Sequence, residues 1–474
     1  MSKYDYNLIV IGAGSAGLVS SYIAAAVKSK VALIEKHKMG GDCLNYGCVP
    51  SKAIIQSAKI LSYAKNSTDF GIKKMSYDFD FSDVMDRVHR IIKSIEPHDS
   101  VERYTKLGVD CFQGEARILS PHKVQINNKV ITCRSIIIAT GASPLVPKIP
   151  GLDEIDYLTS ENIWNLKKLP KNFLIIGGGP IGMEMAQAFS RLGSNVTIVE
   201  MAPKVLLKED DDVIDFVIEN FKKENINILT NHKAVEVKGK NLICEYNNEK
   251  VTLEFDEIFI ALGRKANING FGIDKLNINI RGNGTIKANQ FLQTNHPNIY
   301  VCGDVTGPYQ FTHSAAHQAW YASVNALFSP IKKFKVDYSI IPWATFTDPE
   351  IARVGLNEQD AKIQNIDYQV TKYDISDLDR AITDSKNKGF IKVLTVPGKD
   401  KILGVTIVAE HAGDTIAEYV LAMKNNIGLN KILGTIHIYP TLAEANKFVA
   451  GEWKKKNAPQ LILKFLKFFH SFMR

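Results

Sequence analysis

The residues best suited to chemistry are two cysteines separated by four residues, Cys43 and Cys48, in the segment Gly40–Lys52 (GGDCLNYGCVPSK). Beyond Pro50 apolar residues recur at helical spacing, and proline is favoured in a first helical turn. The segment therefore predicts that Cys48 lies at or just before a helix N-terminus. The helix dipole and free N–H groups there stabilise a thiolate, so we expect a lowered thiol pKa and a redox-active pair.

An alternative interpretation of this pair is half of a zinc site, or two buried thiols. A structural zinc site usually has a second ligand pair at matching spacing, whereas the remaining cysteines of this chain are single. They are Cys111, Cys133, Cys244 and Cys302. We therefore expect no metal site.

Length, composition and charge indicate where this chemistry takes place and which partners are excluded. A length of 474 residues predicts about three domains, and 45% hydrophobic residues is ordinary for a globular protein. We expect a cytoplasmic, reducing location, because the sequence shows neither a signal-peptide pattern nor an apolar run of about 20 residues. A cysteine pair there is more plausibly catalytic than structural. Six of the eight net positive charges lie from Lys454 onward, so the near-neutral body gives no support to nucleic-acid binding.

Two segments repeat one dinucleotide-binding pattern. An apolar strand leads into Gly12–Gly17 (GAGSAG) and a helix, and the next strand ends in Glu35, 23 residues after the first glycine. The run Gly177–Gly182 (GGGPIG) follows a second apolar strand, and Glu200 again comes 23 residues after the first glycine. Such glycines let the backbone approach a pyrophosphate, and the acid accepts ribose hydroxyls. Two fingerprints and a cysteine pair predict a relay from nicotinamide through flavin to a disulfide.

Further strands complete the outline. Residues 135–141, 257–264 and 298–304 each predict a strand that ends in a turn of small residues, and the last of these turns carries Asp304. From residue 336 onward the pattern changes to antiparallel-like strands at 390–394 and 402–408, with helices from Thr415 and Leu442. The fold class is therefore α/β, with two Rossmann-like dinucleotide-binding domains and a further α+β domain.

Together these motifs resemble the class I FAD-dependent pyridine nucleotide–disulfide oxidoreductases, which include dihydrolipoamide dehydrogenase, glutathione reductase and mercuric reductase. The resemblance covers about residues 5–455. It implies a homodimer in which the last domain is the interface and completes the partner's active site. The predicted FAD-binding domain has two parts, residues 1–150 and 271–335, and the NAD(P)-binding domain lies between them at residues 151–270. The dimerisation domain follows at residues 336–457, and a basic amphipathic tail at residues 458–474.

The resemblance implies roles for individual residues. Cys43 is the interchange thiol that faces the substrate, and Cys48 is the charge-transfer thiol against the flavin. Lys52 matches the lysine beside flavin N5, and Glu184 matches its ion-pair partner, which agrees with the need of a buried lysine for an acid. The residues predicted to contact FAD or the nicotinamide cofactor are Gly12, Gly14, Ser15, Ala16, Gly17, Glu35, Lys36, Gly41, Cys43, Lys52, Gly114, Ala139, Thr140, Gly141, Gly177, Gly179, Pro180, Ile181, Gly182, Glu184, Glu200, Gly263, Gly303, Asp304, Phe311, Thr312 and His313.

Two departures from the family lie beside the cysteines. Asp42 stands where the family commonly has threonine, near the expected position of a diphosphate. We expect repulsion there unless a backbone amide or water intervenes, and we assign Asp42 no role. Tyr46 replaces a small aliphatic residue.

A third departure concerns the proton-transfer residue. Thiol-handling members carry histidine directly before a Pro-Thr pair, and this histidine pairs with a downstream acid, here Glu444. The position holds Tyr439, which with an ordinary pKa of about 10 is a poor base at pH 7. His437 is a candidate substitute from two residues away, and the alternative is that Tyr439 is an interface aromatic in an enzyme whose acceptor needs no base. Mercuric reductases share the tyrosine but add a terminal cysteine pair, which residues 461–474 lack.

The leading prediction is a flavoprotein that passes electrons from NAD(P)H through FAD and Cys43–Cys48 to a metal ion such as Hg(II), a quinone or a disulfide. The alternative is the dihydrolipoamide dehydrogenase subunit of a multienzyme complex, and a minor one is a non-catalytic flavin redox sensor. NADH is favoured, because Glu200 repels a 2′-phosphate and only Lys204 stands nearby as a cation; NADPH stays open.

The tail, residues 458–474, predicts an amphipathic helix with lysines on its polar face. One hypothesis is peripheral contact with an anionic membrane, which suits a quinone acceptor. The other is packing of the apolar stripe on the protein's own last domain or on its dimer partner.

Overall fold

The computed structural model describes residues 3–474. The chain divides into two compact units. The first holds Met1–Lys65, Ser76–Pro203 and Glu224–Asp337, and the second holds Asn66–Met75, Lys204–Lys223 and Tyr338–Arg474. The finer domain limits given above stay a prediction.

The first part of the chain alternates apolar strands with helices. Its elements are β1 (Tyr6–Ile11), α1 (Ser15–Ala26), β2 (Val31–Glu35), α2 (Gly41–Asn45), α3 (Cys48–Lys65), α4 (Phe81–Ile95), α5 (Val101–Lys106), β3 (Val109–Gln113), β4 (Ala116–Ser120), β5 (Lys123–Ile126), β6 (Lys129–Ile138) and β7 (Ala142–Pro144). As predicted, a helix begins at Cys48.

The middle of the chain repeats this alternation. Its elements are β8 (Asn172–Ile176), α6 (Pro180–Leu192), β9 (Asn195–Val199), α7 (Asp211–Lys223), β10 (Asn227–Leu229), β11 (Lys233–Lys238), β12 (Asn241–Tyr246), β13 (Glu249–Glu254), β14 (Glu257–Ile260), β15 (Arg264–Ala266), β16 (Ile299–Val301) and α8 (Thr312–Phe328).

Two parallel sheets carry the glycine loops. In the first, the parallel strands run in the order β3-β2-β1-β6-β16, and β4 and β5 extend β6 by antiparallel pairing. Their register aligns Ile11 with both Ile34 and Ile138. The second sheet has the order β10-β9-β8-β14, and β11–β13 form a separate antiparallel sheet. Ligands of open α/β sheets bind at the carboxyl ends of the strands, where each glycine loop begins.

The last part of the chain has an antiparallel sheet in the order β17-β18-β21-β20-β19. Its elements are β17 (Pro342–Thr345), β18 (Glu350–Gly355), α9 (Glu358–Ile363), β19 (Gln369–Asp374), α10 (Asp379–Thr383), β20 (Phe390–Thr395), β21 (Ile402–Ala409), α11 (Ala412–Thr415), α12 (Ala417–Lys424), α13 (Leu429–Leu433), α14 (Glu444–Lys456) and α15 (Gln460–Met473). Buried apolar residues of the sheet and of α12–α14 form one core. Among residues 3–474 no helix has the length and apolar composition that crossing a bilayer requires.

Candidate active site

The two cysteines flank a short turn between α2 and α3. Cys43 lies in α2 and is half-buried, and Cys48 is the first residue of α3 and is exposed; both are free thiols. The turn packs close to the first glycine loop, because a Cβ built on Gly41 comes within 2.5 Å of the Cα of Gly14. Only glycine at position 41 therefore permits this approach, which places the thiols beside the predicted flavin-binding loop.

The two thiols differ in acidity. The Cys43 thiol donates a hydrogen bond to the Cys48 sulfur, which is the main reason that the pKa of Cys48 falls to about 6. Thr312, whose Oγ1 lies 3.5 Å from this sulfur, and the charge of Lys52 also lower the pKa. Partial desolvation of the sulfur opposes them, although the residue as a whole is exposed. The same hydrogen bond and burial raise the pKa of Cys43. At neutral pH the reduced pair is therefore a thiolate at position 48 and a thiol at position 43.

The lowered pKa of Cys48 was expected, but its main cause was not. The prediction relied on the N-terminus of α3, whereas the largest contribution comes from the neighbouring thiol, and another comes from Thr312, which is 264 residues away in the chain. The structure therefore adds Thr312 to the residues that tune this thiolate.

Lys52 and Glu184 form an ion pair. The Nζ of Lys52, one turn into α3, lies 2.9 Å from Oε2 of Glu184 in α6. The glutamate side chain is only 7% exposed and the lysine side chain 35%. The structure thus brings a cation close to the thiolate of Cys48 and places its counter-charge in the buried face of the second dinucleotide-binding helix.

Asp42 is paired with Arg264, which was not among the predicted site residues. Nη1 of Arg264 lies 3.1 Å from Oδ2 of Asp42, and Nε of Arg264 lies 3.4 Å from Oδ2 of Asp304. The expected repulsion at Asp42 is therefore offset by the Arg264 guanidinium. The sequence did offer a signal, since Arg264 directly follows the candidate Gly263 and an acid near a diphosphate calls for a cation. Burial raises the pKa of Asp304 above its ordinary value, and Arg264 opposes this shift only in part.

The first glycine loop has the shape that a dinucleotide needs. Gly12 has φ +102°, and a Cβ on Gly17 would lie 1.7 Å from the carbonyl oxygen of Gly12, so both positions require glycine. A Cβ on Gly14, in contrast, would meet nothing closer than 3.9 Å, so this side of the loop is open to a pyrophosphate. These features fit FAD.

The second loop repeats this geometry at a distance of 165 residues. Gly177 has φ +113°, a Cβ on Gly182 would lie 2.1 Å from the carbonyl oxygen of Gly177, and Gly179 has open space around it. Pro180 begins α6, the helix whose N-terminus faces such a ligand. The loop therefore fits a second dinucleotide.

The two strand-end acids are held in the same way. Glu35 accepts a hydrogen bond from the N–H of Ala13 at 2.6 Å, and Glu200 accepts one from Gly178 at 2.8 Å. Each also accepts from the N–H two residues further on, at 2.7 Å. Both carboxylates are thus fixed beside their glycine loops, where a ribose would lie.

Two polar residues missing from the prediction support the strand ends of the first sheet. The buried amide of Gln318 accepts from the N–H of Gly303 at 2.6 Å and donates to Gly307 at 2.8 Å. Asn267 accepts at its carbonyl oxygen from Thr140 Oγ1 at 2.8 Å and donates back to the carbonyl oxygen of Thr140 at 3.0 Å. The Asn267 contacts join residues 127 positions apart, and the Gln318 contacts join α8 to the loop that precedes it, so the glycine motifs themselves give no signal for them.

The remaining predicted cofactor residues lie on the same elements. Phe311 caps α8 and stacks on His313, with ring centroids 5.3 Å apart. Others lie in the first turns of α1 and α6 or just after strands: Ser15, Ala16, Ile181, Lys36, Gly114, Ala139 and Gly141. The carbonyl oxygen of Tyr46 accepts a hydrogen bond from the indole of Trp164 at 2.8 Å, which fixes the cysteine turn from the other side.

The predicted proton-transfer residues lie in the second unit. Tyr439 donates a hydrogen bond to Asp379 at 3.0 Å, and this acid raises the pKa of Tyr439 above its ordinary value. Nε2 of His437 lies 3.1 Å from the carboxylate of Glu418, and its Nδ1 lies 3.1 Å from the Thr435 carbonyl oxygen.

Glu444 begins α14 and accepts from the N–H of Thr441 at 3.1 Å. Tyr439 is thus an even poorer base than expected at neutral pH, and both nitrogens of His437 are engaged.

Comparison with protein-family models identifies the chain. Residues 6–319 match the pyridine nucleotide-disulphide oxidoreductase model, and residues 341–449 match the dimerisation domain of the same group. The chain belongs to this family. It is therefore an oxidoreductase that uses FAD and NAD(P)H, and its dimerisation domain supports a homodimer. The predicted fold class, enzyme class and cofactors are confirmed.

Named relatives fall into two groups. A mercuric reductase of Bacillus cereus is 34% identical over 457 residues, which cover 96% of this chain and 72% of the relative. A dihydrolipoyl dehydrogenase of Chlamydia muridarum is 34% identical over 447 residues, which cover 93% and 95%. The solved HOCl-induced flavoprotein disulfide reductase RclA of Escherichia coli superimposes with a TM-score of 0.84 at 25% identity over 94% of this chain and 99% of that one. Its Cu(II) complex gives 0.83 at 25% identity over 93% and 99%.

Proposed function

We propose that this enzyme passes electrons from NADH through FAD to Cys43 and Cys48, and from the reduced cysteines to a soft metal ion, with Hg(II) and Cu(II) as the test cases. The observation that carries the proposal is the environment of the Cys48 sulfur, which accepts a hydrogen bond from Cys43 and lies 3.5 Å from Thr312 Oγ1; these contacts lower the pKa of Cys48 to about 6. A thiolate at neutral pH binds a soft metal ion without the help of a general base. The mercuric reductase relative and the Cu(II) complex of RclA support this class of acceptor.

The residues at the two glycine loops would hold the cofactors. Gly14 and Gly179 leave space for the two diphosphates, and Glu35 and Glu200 would accept ribose hydroxyls. Bound FAD supplies hydride acceptance from the nicotinamide and electron delivery to the disulfide. Glu200 favours NADH, because a second negative charge on the 2′-oxygen would be repelled there.

Lys52 would stabilise negative charge on the isoalloxazine and on Cys48 together. Its ion pair with the buried Glu184, at 2.9 Å, fixes the position of the ammonium group. Because Glu184 lies in α6, the pair connects the cysteine helix to the helix that begins at the second glycine loop.

The electron balance of the acceptor step is simple. Oxidation of the pair to a disulfide releases two electrons and the proton held on Cys43. Those electrons reduce one Hg(II) to Hg(0), or two Cu(II) to two Cu(I). Neither reaction requires Tyr439 to accept a proton, which agrees with the raised pKa of that phenol.

A second candidate is dihydrolipoyl dehydrogenase. It is favoured by the relative from Chlamydia muridarum, which the chain matches over 95% of that protein's length. Oxidation of dihydrolipoamide requires removal of a thiol proton, and the predicted site offers Tyr439 for this task. Since both nitrogens of His437 are hydrogen-bonded, we rank this activity second.

An acceptor screen tests the proposal. The purified holoenzyme is given NADH or NADPH and then Hg(II), Cu(II), a quinone, glutathione disulfide or lipoamide. We expect NADH-driven reduction of a metal ion that is lost in Cys48→Ser and in Cys43→Ser, and retained in Cys111→Ser, a half-buried thiol in β3 that serves as the matched control. Faster turnover of lipoamide than of any metal ion would move the assignment to dihydrolipoyl dehydrogenase. Flavin reduction without turnover of any acceptor would favour a redox sensor.

The oligomeric state and the cellular location are further parts of the proposal. We propose a homodimer that works in the cytoplasm, where reducing conditions keep the pair available for turnover. Among residues 3–474 no three His, Cys, Asp or Glu side chains come together as a metal site, so the metal ion is treated as a substrate of the cysteines.

A further inference from the structure

The tail helix, α15 (Gln460–Met473), exposes an unusually large apolar surface. None of its side chains is buried, and nine large apolar side chains are each at least 38% exposed. These are Leu461, Ile462, Leu463, Phe465, Leu466, Phe468, Phe469, Phe472 and Met473. An amphipathic helix of a globular protein normally covers its apolar stripe with its own core. Here the second unit does not cover it, which removes packing on the protein's own last domain and leaves the dimer partner and a membrane surface as alternatives.

The apolar side chains lie on one side of the helix. At 100° per residue, the most exposed of them, Leu461 and Phe472 at 81% each, lie within about 20° of one another. Eight of the nine occupy an arc of about 160°. The opposite arc holds Lys464 and Lys467 together with His470, and Leu463 is the only apolar residue there.

Charge distinguishes what covers this face. From Trp453 onward the chain has six basic residues and no acid: Lys454, Lys455, Lys456, Lys464, Lys467 and Arg474. Lys455 pairs with Glu452 at 2.6 Å, but an apolar groove on a partner subunit would cover the stripe and leave the charges of Lys464, Lys467 and Arg474 without a counterpart. An anionic lipid surface complements both faces at once, since each basic residue near such a surface strengthens binding about fivefold (about 1 kcal/mol).

The helix also lies outside the part of the chain shared with the family. The dimerisation model ends at residue 449, before α15 begins. At 1.5 Å per residue its 14 residues extend about 21 Å, too short to cross a bilayer and suitable for lying along its surface. A helix with these two faces inserts its apolar side by about 5–10 Å.

We propose that α15 is a peripheral membrane anchor, which lies in the interface of an anionic bilayer with Leu461, Phe465, Phe468 and Phe472 towards the acyl chains. Lys464 and Lys467 then point to the headgroups and solution. The proposal goes beyond the proposed reaction and uses none of its catalytic residues. It would place the cysteine chemistry at a membrane surface, where lipid-dissolved acceptors such as quinones are concentrated.

Vesicle flotation of the full-length holoenzyme tests this proposal. The vesicles are equimolar phosphatidylglycerol and phosphatidylcholine, or phosphatidylcholine alone, at low and high salt. Leu461→Asp and Leu463→Asp form a matched pair, because the same change falls in the first turn on opposite faces. We expect Leu461→Asp to weaken vesicle binding about ten- to a hundredfold and Leu463→Asp to stay within a few-fold of wild type.

Removal of charge provides an independent readout. We expect Lys464→Gln with Lys467→Gln to weaken binding to anionic vesicles about 25-fold, high salt to act in the same direction, and neutral vesicles to bind little. A chain ending at Ala458 should stay at the bottom. Flavin content and turnover without vesicles show that each variant is folded.

Three results would overturn the proposal. In the first, wild type stays at the bottom with anionic vesicles at low salt. In the second, the chain ending at Ala458 floats as well as wild type. In the third, the chain ending at Ala458 dissociates to monomers in light scattering while wild type does not float, which would assign the tail to the dimer interface. Each result leaves the acceptor screen unaffected, so failure of the anchor and failure of the proposed reaction are distinguishable.

Discussion

Removing the Cys43 thiol should make Cys48 a much weaker acid. The hydrogen bond from Cys43 is the largest contribution to the lowered pKa of Cys48, ahead of Thr312 and Lys52. Because the lowered pKa favours the charged form, the thiolate persists above a pH of about 6 and is lost as the pH falls below it. In Cys43→Ala the donor is absent while burial still disfavours charge, so the midpoint should move up towards the ordinary value of 9.0.

The size of the effect follows from the two values. With a pKa of about 6, about 90% of Cys48 is thiolate at pH 7, whereas at 9.0 only about 1% is. The assay is the ultraviolet absorbance of thiolate in reduced protein, followed from acid to alkaline pH. Three of the other thiols do not interfere, because burial raises the pKa of Cys244 to about 11 and of Cys133 and Cys302 to about 12. Cys111, whose pKa is also raised by burial, is replaced by serine in every variant so that its titration does not overlap.

Two variants make the result interpretable. Cys43→Ser keeps an O–H donor, so its midpoint should lie between those of wild type and Cys43→Ala. Thr312→Val removes the hydroxyl 3.5 Å from the sulfur and should raise the midpoint less than Cys43→Ala does. If Cys43→Ala still titrates near 6, the neighbouring thiol does not set the acidity, and the start of α3 with Lys52 becomes the better explanation.

Three further predictions follow from the site. Reduction of the holoenzyme should produce a long-wavelength flavin–thiolate absorbance that Cys48→Ser abolishes, while Cys43→Ser should show such a band without reduction; identical spectra of the two variants would contradict the assignment of the two thiols. Wild type should have a higher kcat/KM for NADH than for NADPH, and Glu200→Ala should narrow the difference by roughly tenfold or more (~1.5–3 kcal/mol); a wild-type preference for NADPH would refute the role of this acid. Lipoamide activity should be on the order of 100- to 10,000-fold below that of an enzyme with a histidine base, and Tyr439→His should raise it; full activity in wild type would show that another base operates.

The sequence was sufficient wherever the chemistry depends on neighbouring residues. The glycine loops could be predicted because the requirement for glycine is local. Gly12 has φ +102°, and Gly17 packs on the carbonyl oxygen of Gly12 in the same loop. The strand-end acids could be found for the same reason, since Glu35 and Glu200 stand at a fixed offset from their loops. Helix α3 begins at Cys48 as its local pattern indicates.

The sequence was insufficient where the contacting partners are far apart in the chain. Arg264 meets Asp42 across 222 residues, and Asn267 meets Thr140 across 127 residues. The sequence showed that a tyrosine, Tyr439, replaces the histidine, but only the hydrogen bond to Asp379 shows that the pKa of this tyrosine is raised. Local spacing thus places the candidate groups, while their charges are set by contacts that only the folded chain makes.

The arrangement around Asp42 shows how such contacts alter a functional argument. An acid near a diphosphate looks unfavourable when it is considered alone, and sequence reasoning left it without a role. Arg264 lies between Asp42 and Asp304, so when both carboxyl groups are ionised the three groups carry one net negative charge instead of two. Because all three side chains are at least half-buried, the attraction between Arg264 and the two carboxylates is only weakly screened. A substitution of Asp42 alone would therefore change the charge that Arg264 presents, and its effect on flavin retention would report on the arginine as much as on the acid.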